Sequence, residues 1–463
     1  MALLTLLFLG AYLAAVLAIG FFWRRRAGRD EASYFAADRS LTTFWGFVGL
    51  ASLTTGGSTT IALAAFVYTH GLAGIWLDLA GALGLLLLGL FLAARIRREG
   101  AITLPEIIGR YYGRIARRAA ALLVLASEIA WFALLVTATQ LVLTSALGVS
   151  ALPAIVGATA VFVAYTSLGG HFAVVRTDLL QYGLMVVGIL GVALVSALTG
   201  SGGLDGLPPE AWRFPTAPTL GAGDVAALLV LVGLPHLIGS DITLKLLSCR
   251  DEGTARRAAL LAAVSKVAFG GAVAAIALAA RKALAPLDPE RALPEAILAF
   301  APPALAALVV VSLVATMQTS ADTVLLSAAA VTVRDLAPPG RPDAAIRTAR
   351  LLAPIYGALG LLVALALDRK IVDVLKLGYS IFAAGLILPV LFALLPGRFR
   401  PQPAGAIAAM IGGGTVAAIG RFLPEIVRGR DPVLAGTAVN LALLLASFLL
   451  PRRPEPGRRE AAV

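Results

Sequence analysis

Residues 301–333 read APPALAALVVVSLVATMQTSADTVLLSAAAVTV. The run is long enough to cross a bilayer, for which ~20 apolar residues suffice. Yet Thr316, Thr319, Ser320 and Asp322 sit inside it. Lipid offers no water to satisfy such groups, so a polar cluster at that depth marks a path for an ion or a polar solute. Thr319 and Ser320 follow Thr316 by three and four residues, so the three share a helix face. The plain alternative is that Ser and Thr hydroxyls bond back to their own i−4 carbonyls, as they often do in membrane helices.

The rest of the chain is of the same kind. Of its 463 residues 59% are hydrophobic and 14% charged, and the mean hydropathy is +0.90. A soluble domain carries about 25% charged residues, so a soluble protein is excluded. The apolar runs predict thirteen spans: 2–22, 41–69, 72–94, 119–147, 151–168, 172–199, 222–240, 257–280, 301–333, 349–367, 371–396, 403–420 and 432–450. The expected fold class is an all-α polytopic membrane protein. An odd number of spans puts the termini on opposite sides. With the N-terminus outside and the C-terminus cytoplasmic, inner loops hold 26 of the 38 Lys and Arg and outer loops 9. That imbalance obeys the positive-inside rule. The net charge of +12 is therefore a topology signal, with some attraction to anionic lipid, and no sign of a nucleic-acid partner. Arg24, Arg25 and Arg26 follow the first apolar run instead of preceding it, so 2–22 reads as a retained helix and not a signal peptide. Cys249 is the single cysteine, which leaves no intrachain disulfide. His70, His171 and His236 show no metal-ligand spacing.

Two spans are interrupted. The second carries Thr54-Thr55-Gly56-Gly57-Ser58-Thr59-Thr60 near its middle, where paired glycines weaken the helix and free backbone carbonyls. The seventh carries Gly233, Pro235 and Gly239, and Pro235 lacks the donor a helix interior needs. If spans 2–6 form one half and 7–11 the other, each interrupted helix opens its half. Interrupted helices at matching positions point to an inverted-repeat transporter, although Gly and Pro are also common in membrane helices. The expected division is 1–40 for the first helix and inner loop, 41–199 and 222–397 for two repeats, 398–450 for two C-terminal helices and 451–463 for a cytoplasmic tail.

Several short motifs, in order, carry a resemblance. Tyr34-Phe35-Ala36-Ala37-Asp38-Arg39-Ser40-Leu41 precedes the first interrupted span. Thr103-Leu104-Pro105-Glu106 and Gly109-Arg110-Tyr111-Tyr112-Gly113 follow the next. Ala164-Tyr165-Thr166, Gly169-Gly170, Arg176-Thr177-Asp178-Leu179-Leu180-Gln181, Arg250-Asp251-Glu252 and Ala255-Arg256-Arg257 complete the set. From about Tyr34 to Gly397 the chain resembles the sodium/solute symporter family, transporters of sugars, proline, pantothenate and sialic acid. The resemblance implies a LeuT-type fold, five helices repeated inverted, with extra flanking helices. It also implies a sodium ion as coupling ion. Its site would take the carbonyls of Ser52 and Thr55, the carbonyl of Thr316 and the hydroxyls of Thr319 and Ser320. A hard cation wants oxygen ligands, and broken helices supply free carbonyls. Asp178 matches the acid of a second sodium site in some members, and a salt bridge with Arg176 or a helix-terminal role competes with that reading.

Charged groups inside spans should face the bundle or each other, since an unpaired charge in lipid costs at least ~2.5–3.5 kcal/mol. Asp78, Glu128, Lys266 and Lys376 are such groups. Asp78 and Lys266 fall near positions where sugar-transporting relatives place pocket residues, and Lys376 aligns roughly with another. Gly56, Gly57, Ser58 and Thr59 would line the same cavity, with Trp131 and Gln140 as further candidates. An internal ion-pair network, for example Asp373 with Lys376, is the competing account. Two lysines and an acid suit a small polar solute: a sugar, sugar acid, polyol or organic acid. The expected function is sodium-coupled symport into the cell by alternating access across the cytoplasmic membrane. The alternative is a proton-coupled carrier titrating Asp178 or Asp78. An enzyme is not expected, for there is no HExxH and no histidine with suitable partners. A sensor would need a signalling domain, for which the tail is too short. No obligatory protein partner is evident.

Overall fold

Each apolar run folds into helix, because only a helix satisfies every backbone polar group within its own segment. The computed structural model describes residues 1–27, 30–56, 58–338, 342–367, 370–396, 399–427 and 429–449. In chain order the main helices are α1 (Ala2–Ala27), α2 (Thr43–Thr55), α3 (Ser58–His70), α4 (Trp76–Leu87), α5 (Leu104–Leu147), α6 (Ala151–Met185), α7 (Leu234–Ile238) and α8 (Ser240–Leu247). Then come α9 (Glu252–Ala283), α10 (Pro303–Val331), α11 (Pro342–Leu367), α12 (Ile371–Phe382), α13 (Pro403–Phe422) and α14 (Pro432–Ala446).

Local chemistry sets the ends. Thr103 caps α5 by accepting the Glu106 N–H, with Pro105 in the first turn. Asp251 caps α9 by accepting from Thr254. Both satisfy donors that a helix start leaves open. Pro303 opens α10, where its missing N–H costs nothing.

Eleven helical stretches among the described residues are long and apolar enough to cross a membrane. The count of thirteen is not confirmed, for two physical reasons. A tight five-residue turn, Gly71–Ile75, joins α3 to α4 without a loop, so Thr60–Glu99 counts as one helical stretch, although Gly71 at φ +70° bends the chain back and a Cβ on Gly74 would lie 2.5 Å from Phe66 O. Ala151–Ser167 falls short of a full span, and the non-helical Gly170 breaks the helix between it and the stretch that runs on to Gly200. Gly170 has φ +54°, and a Cβ there would lie 2.9 Å from the Tyr34 ring, so the bend needs glycine.

α10 is the central helix. Of its most apolar stretch 83% is buried inside the protein, against 17% for α1 and 22% for the Ala344–Leu367 stretch. It packs on α5 and α6, while α2 packs on α9 and α6. Leu6, Phe91, Leu122, Val264, Leu351 and Leu362 are exposed and form the apolar exterior expected of a chain surrounded by lipid.

Both interruptions are real. α2 ends at Thr55, and Gly56 turns the chain out of the helix with ψ −169°. The second break falls at Gly239 (φ −57°, ψ 150°), four residues beyond Pro235. Pro235 sits in the first turn of α7, after a widened turn at Leu229–Gly233, so the helix tolerates it. The start of α2 and the end of α8 are tied together. Leu41 N–H donates to Ser248 O (3.1 Å) and Arg250 N–H to Leu41 O (2.9 Å).

Candidate cation and solute site

The first break meets α10. A Cβ built on Gly56 would fall 2.7 Å from Ser52 O and 3.0 Å from Thr316 O, so two backbone carbonyls converge on one spot beside a residue without a side chain. The Ser320 hydroxyl lies 3.2 Å from Leu53 O and 3.4 Å from Thr316 O. The Thr319 hydroxyl lies 3.1 Å from Ser52 Oγ and donates to Asp178 Oδ1 at 2.7 Å. Thr55 O accepts from Thr60 Oγ1 (3.1 Å), and Thr55 Oγ1 is buried with no partner. Ser52, Thr316, Thr319 and Ser320 are therefore brought together, with Thr55 one residue from the break. This is a neutral oxygen-rich crossing suited to a hard monovalent cation.

Asp178 stands next to it. Its other oxygen takes the Lys245 ammonium at 2.5 Å, with both side chains buried. Arg176, the partner in the competing reading of Asp178, lays its guanidinium over the rings of Trp23 (4.8 Å) and Trp45 (4.0 Å). Lys245 was counted from sequence as an inner-loop charge. The second half of the broken helix carries it into the interior.

Asp78 and Lys266 pair with each other at 2.6 Å, both buried, and Lys266 Nζ also donates to Thr54 O (2.5 Å). Lys376 lies over the Phe66 ring at 5.8 Å. None of the three lines the central cavity. That space, about 50 Å³, is bounded by Thr54 and Gly56 at the first break, Pro235, His236 and Asp241 around the second, Trp131 on α5, Ser320 on α10 and Tyr379 on α12. Gly56 and Trp131 line it, and Gln140 does not. Gly57 lies outside the described residues, as do the side chains of Ser58 and Thr59.

Sequence reading missed Asp241, His236 and Tyr379. Asp241 was placed past the end of its span. The available signal was Gly239-Ser240-Asp241, an acid opening the second half of an interrupted helix, where a helix N-terminus favours it. Beyond the cavity, Asp322 Oδ1 accepts from Thr166 (2.8 Å) and its Oδ2 is buried without a partner. Among the described residues no group of His, Cys, Asp and Glu is arranged to hold a metal.

Comparison with known proteins agrees with this architecture. The chain is 28% identical over 179 residues to the high-affinity choline transporter 1 of Caenorhabditis elegans, covering 39% of this chain and 31% of that protein. It is 27% identical over 201 residues to the sodium/proline symporter of Salmonella typhimurium, covering 42% and 39%. The matches thus span about a third of these relatives. Among solved structures, a Na+-coupled sialic acid symporter in a substrate-bound outward-open state superimposes with a TM-score of 0.80. It is 17% identical, with 97% of this chain and 98% of that chain covered. A nucleobase-cation-symport-1 family transporter in a closed conformation gives 0.59 at 16% identity, covering 91% and 96%. The fold is the LeuT type with extra flanking helices, and these neighbours are transporters and not enzymes. The sodium:solute symporter family model matches residues 34–413, and the chain is a multi-pass membrane protein that belongs to the sodium:solute symporter family.

Proposed function

We propose that this protein is a sodium-coupled symporter that carries a small polar organic solute into the cell by alternating access. The observation that carries this reading is the convergence of Ser52 O and Thr316 O at Gly56, with the Thr319 and Ser320 hydroxyls at the same crossing. Sodium held there links α2 to α10. An ion drives a conformational cycle only if it binds one state better than another, and a site shared by two helices that move apart meets that condition. One sodium charge crossing 100 mV supplies ~2.3 kcal/mol, or roughly fifty-fold accumulation. The sodium/proline and choline relatives are consistent with a small solute. The membrane is the cytoplasmic membrane, with the N-terminus outside and the division into repeats given above.

The proton-coupled alternative relies on Asp178 or Asp78. Each is held by a buried lysine, which disfavours it as a freely exchanging proton carrier.

The test is thermal stability of purified protein in detergent, titrating sodium against potassium at fixed ionic strength. A ligand that binds only the folded state stabilises it by mass action. Wild type is expected to show a saturable sodium-specific rise, and Thr319→Ala/Ser320→Ala to lose it. No sodium-specific rise in wild type would sink the reading.

A further inference from the structure

The central cavity is lined by one carboxylate and by no lysine or arginine. Asp241 Oδ1 accepts the Ile242 N–H at 2.8 Å, which is a hydrogen bond and not a counter-charge. The nearby lysines are engaged elsewhere: Lys245 holds Asp178, and Lys266 holds Asp78 and Thr54 O. No described Lys or Arg forms an ion pair with Asp241. A second acid backs it. Glu128 Oε1 accepts from Ser327 (2.6 Å), while its Oε2 is buried without a partner. Ser327 Oγ lies 3.1 Å from the hydroxyl of Ser240, the residue before Asp241. Two buried acids thus stand together at this end of the cavity.

Aromatic side chains line the same cavity. Trp131 and Tyr379 meet edge to face with centroids 4.8 Å apart, and His236 stacks on Tyr379 at 6.1 Å. His236 Nδ1 is occupied by Val232 O at 2.9 Å. Ring faces attract cations. An anionic solute would be repelled by the Asp241 carboxylate, and a neutral one would offer it no counter-charge.

We propose that the transported solute carries a cationic nitrogen, an ammonium or substituted ammonium, held between the Asp241 carboxylate and the rings of Trp131 and Tyr379. This rests on the transporter reading above and narrows its solute. The acidic solutes suggested by Lys266 and Lys376 lose their basis, since neither lysine lines the cavity.

The experiment is thermal stability of the full-length protein with tetramethylammonium, choline, glucose or gluconate, each in sodium and in potassium. Saturable stabilisation by an ammonium probe and none by glucose or gluconate is expected. Asp241→Asn should weaken that probe by roughly tenfold or more while the sodium effect persists, which also reports a folded variant. Should Asp241→Asn not fold, Tyr379→Leu should weaken the probe similarly and Tyr379→Phe should not. No stabilisation by either ammonium, or unchanged affinity in Asp241→Asn, overturns the proposal. Ammonium stabilisation without any sodium dependence leaves it standing and removes sodium coupling instead.

Discussion

The two broken helices deliver different chemistry to the middle of the bundle. At Gly56 the chain turns out of helix beside α10 and presents carbonyls and hydroxyls with no formal charge at the crossing itself. At Gly239 the restarted helix opens with a carboxylate, Asp241, set against aromatic rings. The first offers oxygen ligands of the kind a bare ion needs, and the second offers a carboxylate, which is the counter-charge our proposal assigns to the solute. The Asp178–Lys245 pair lies between them, tied on one side to Thr319 and Ser52 and on the other to the second broken helix. Similar interruptions in sequence thus present different groups to the bundle, carbonyls and hydroxyls at one and a carboxylate at the other.

The largest expected effect comes from separating the two regions at that pair. Lys245→Met leaves Asp178 as an uncompensated buried charge and should destabilise by about 3–5 kcal/mol. The double variant Lys245→Met/Asp178→Asn should recover most of it. Denaturation in detergent measures both, and an unchanged wild-type midpoint in Lys245→Met would mean the pair does not couple the breaks.

Gly56→Ala acts on the first break alone. The added methyl meets Ser52 O and Thr316 O, so it should cost about 1–3 kcal/mol and abolish the sodium-specific stabilisation. Gly223→Ala, where nothing lies within 4 Å, is the matched control and should retain it. Equal behaviour of the two variants would remove Gly56 from the cation site.

The smallest effect is expected where Leu41 and Ser248–Arg250 join the start of α2 to the end of α8. Cys249 lies there fully buried, and burial pushes its thiol up to about 12. The thiolate is the reactive form, so maleimide at neutral pH should label denatured protein and leave the native protein almost unlabelled. Prompt native labelling would show that this junction opens readily.

Much of the fold was legible because lipid imposes few choices. The apolar runs could only be helices, and the interruptions around Gly56 and Gly239 marked where backbone groups come free. The polar face of Thr316, Thr319 and Ser320 was legible too, since three- and four-residue spacing fixes a helix face. The thirteen-span count was not, because a sequence does not reveal that α3 meets α4 through a turn of only five residues, or that the helix opened at Ala151 breaks near Gly170 short of a full span.

Sequence alone determined that this is a multi-pass helical membrane protein with two interrupted helices and a hydroxyl-rich face on a central one. Only the tertiary structure decided how its charges pair and what lines its cavity. Lys245 finds Asp178 across 67 residues, Lys266 finds Asp78 on another helix, and no described Lys or Arg forms an ion pair with Asp241. Helical period follows from local geometry. The pairing of buried charges depends on which helices pack together, and an apolar run does not specify its neighbours.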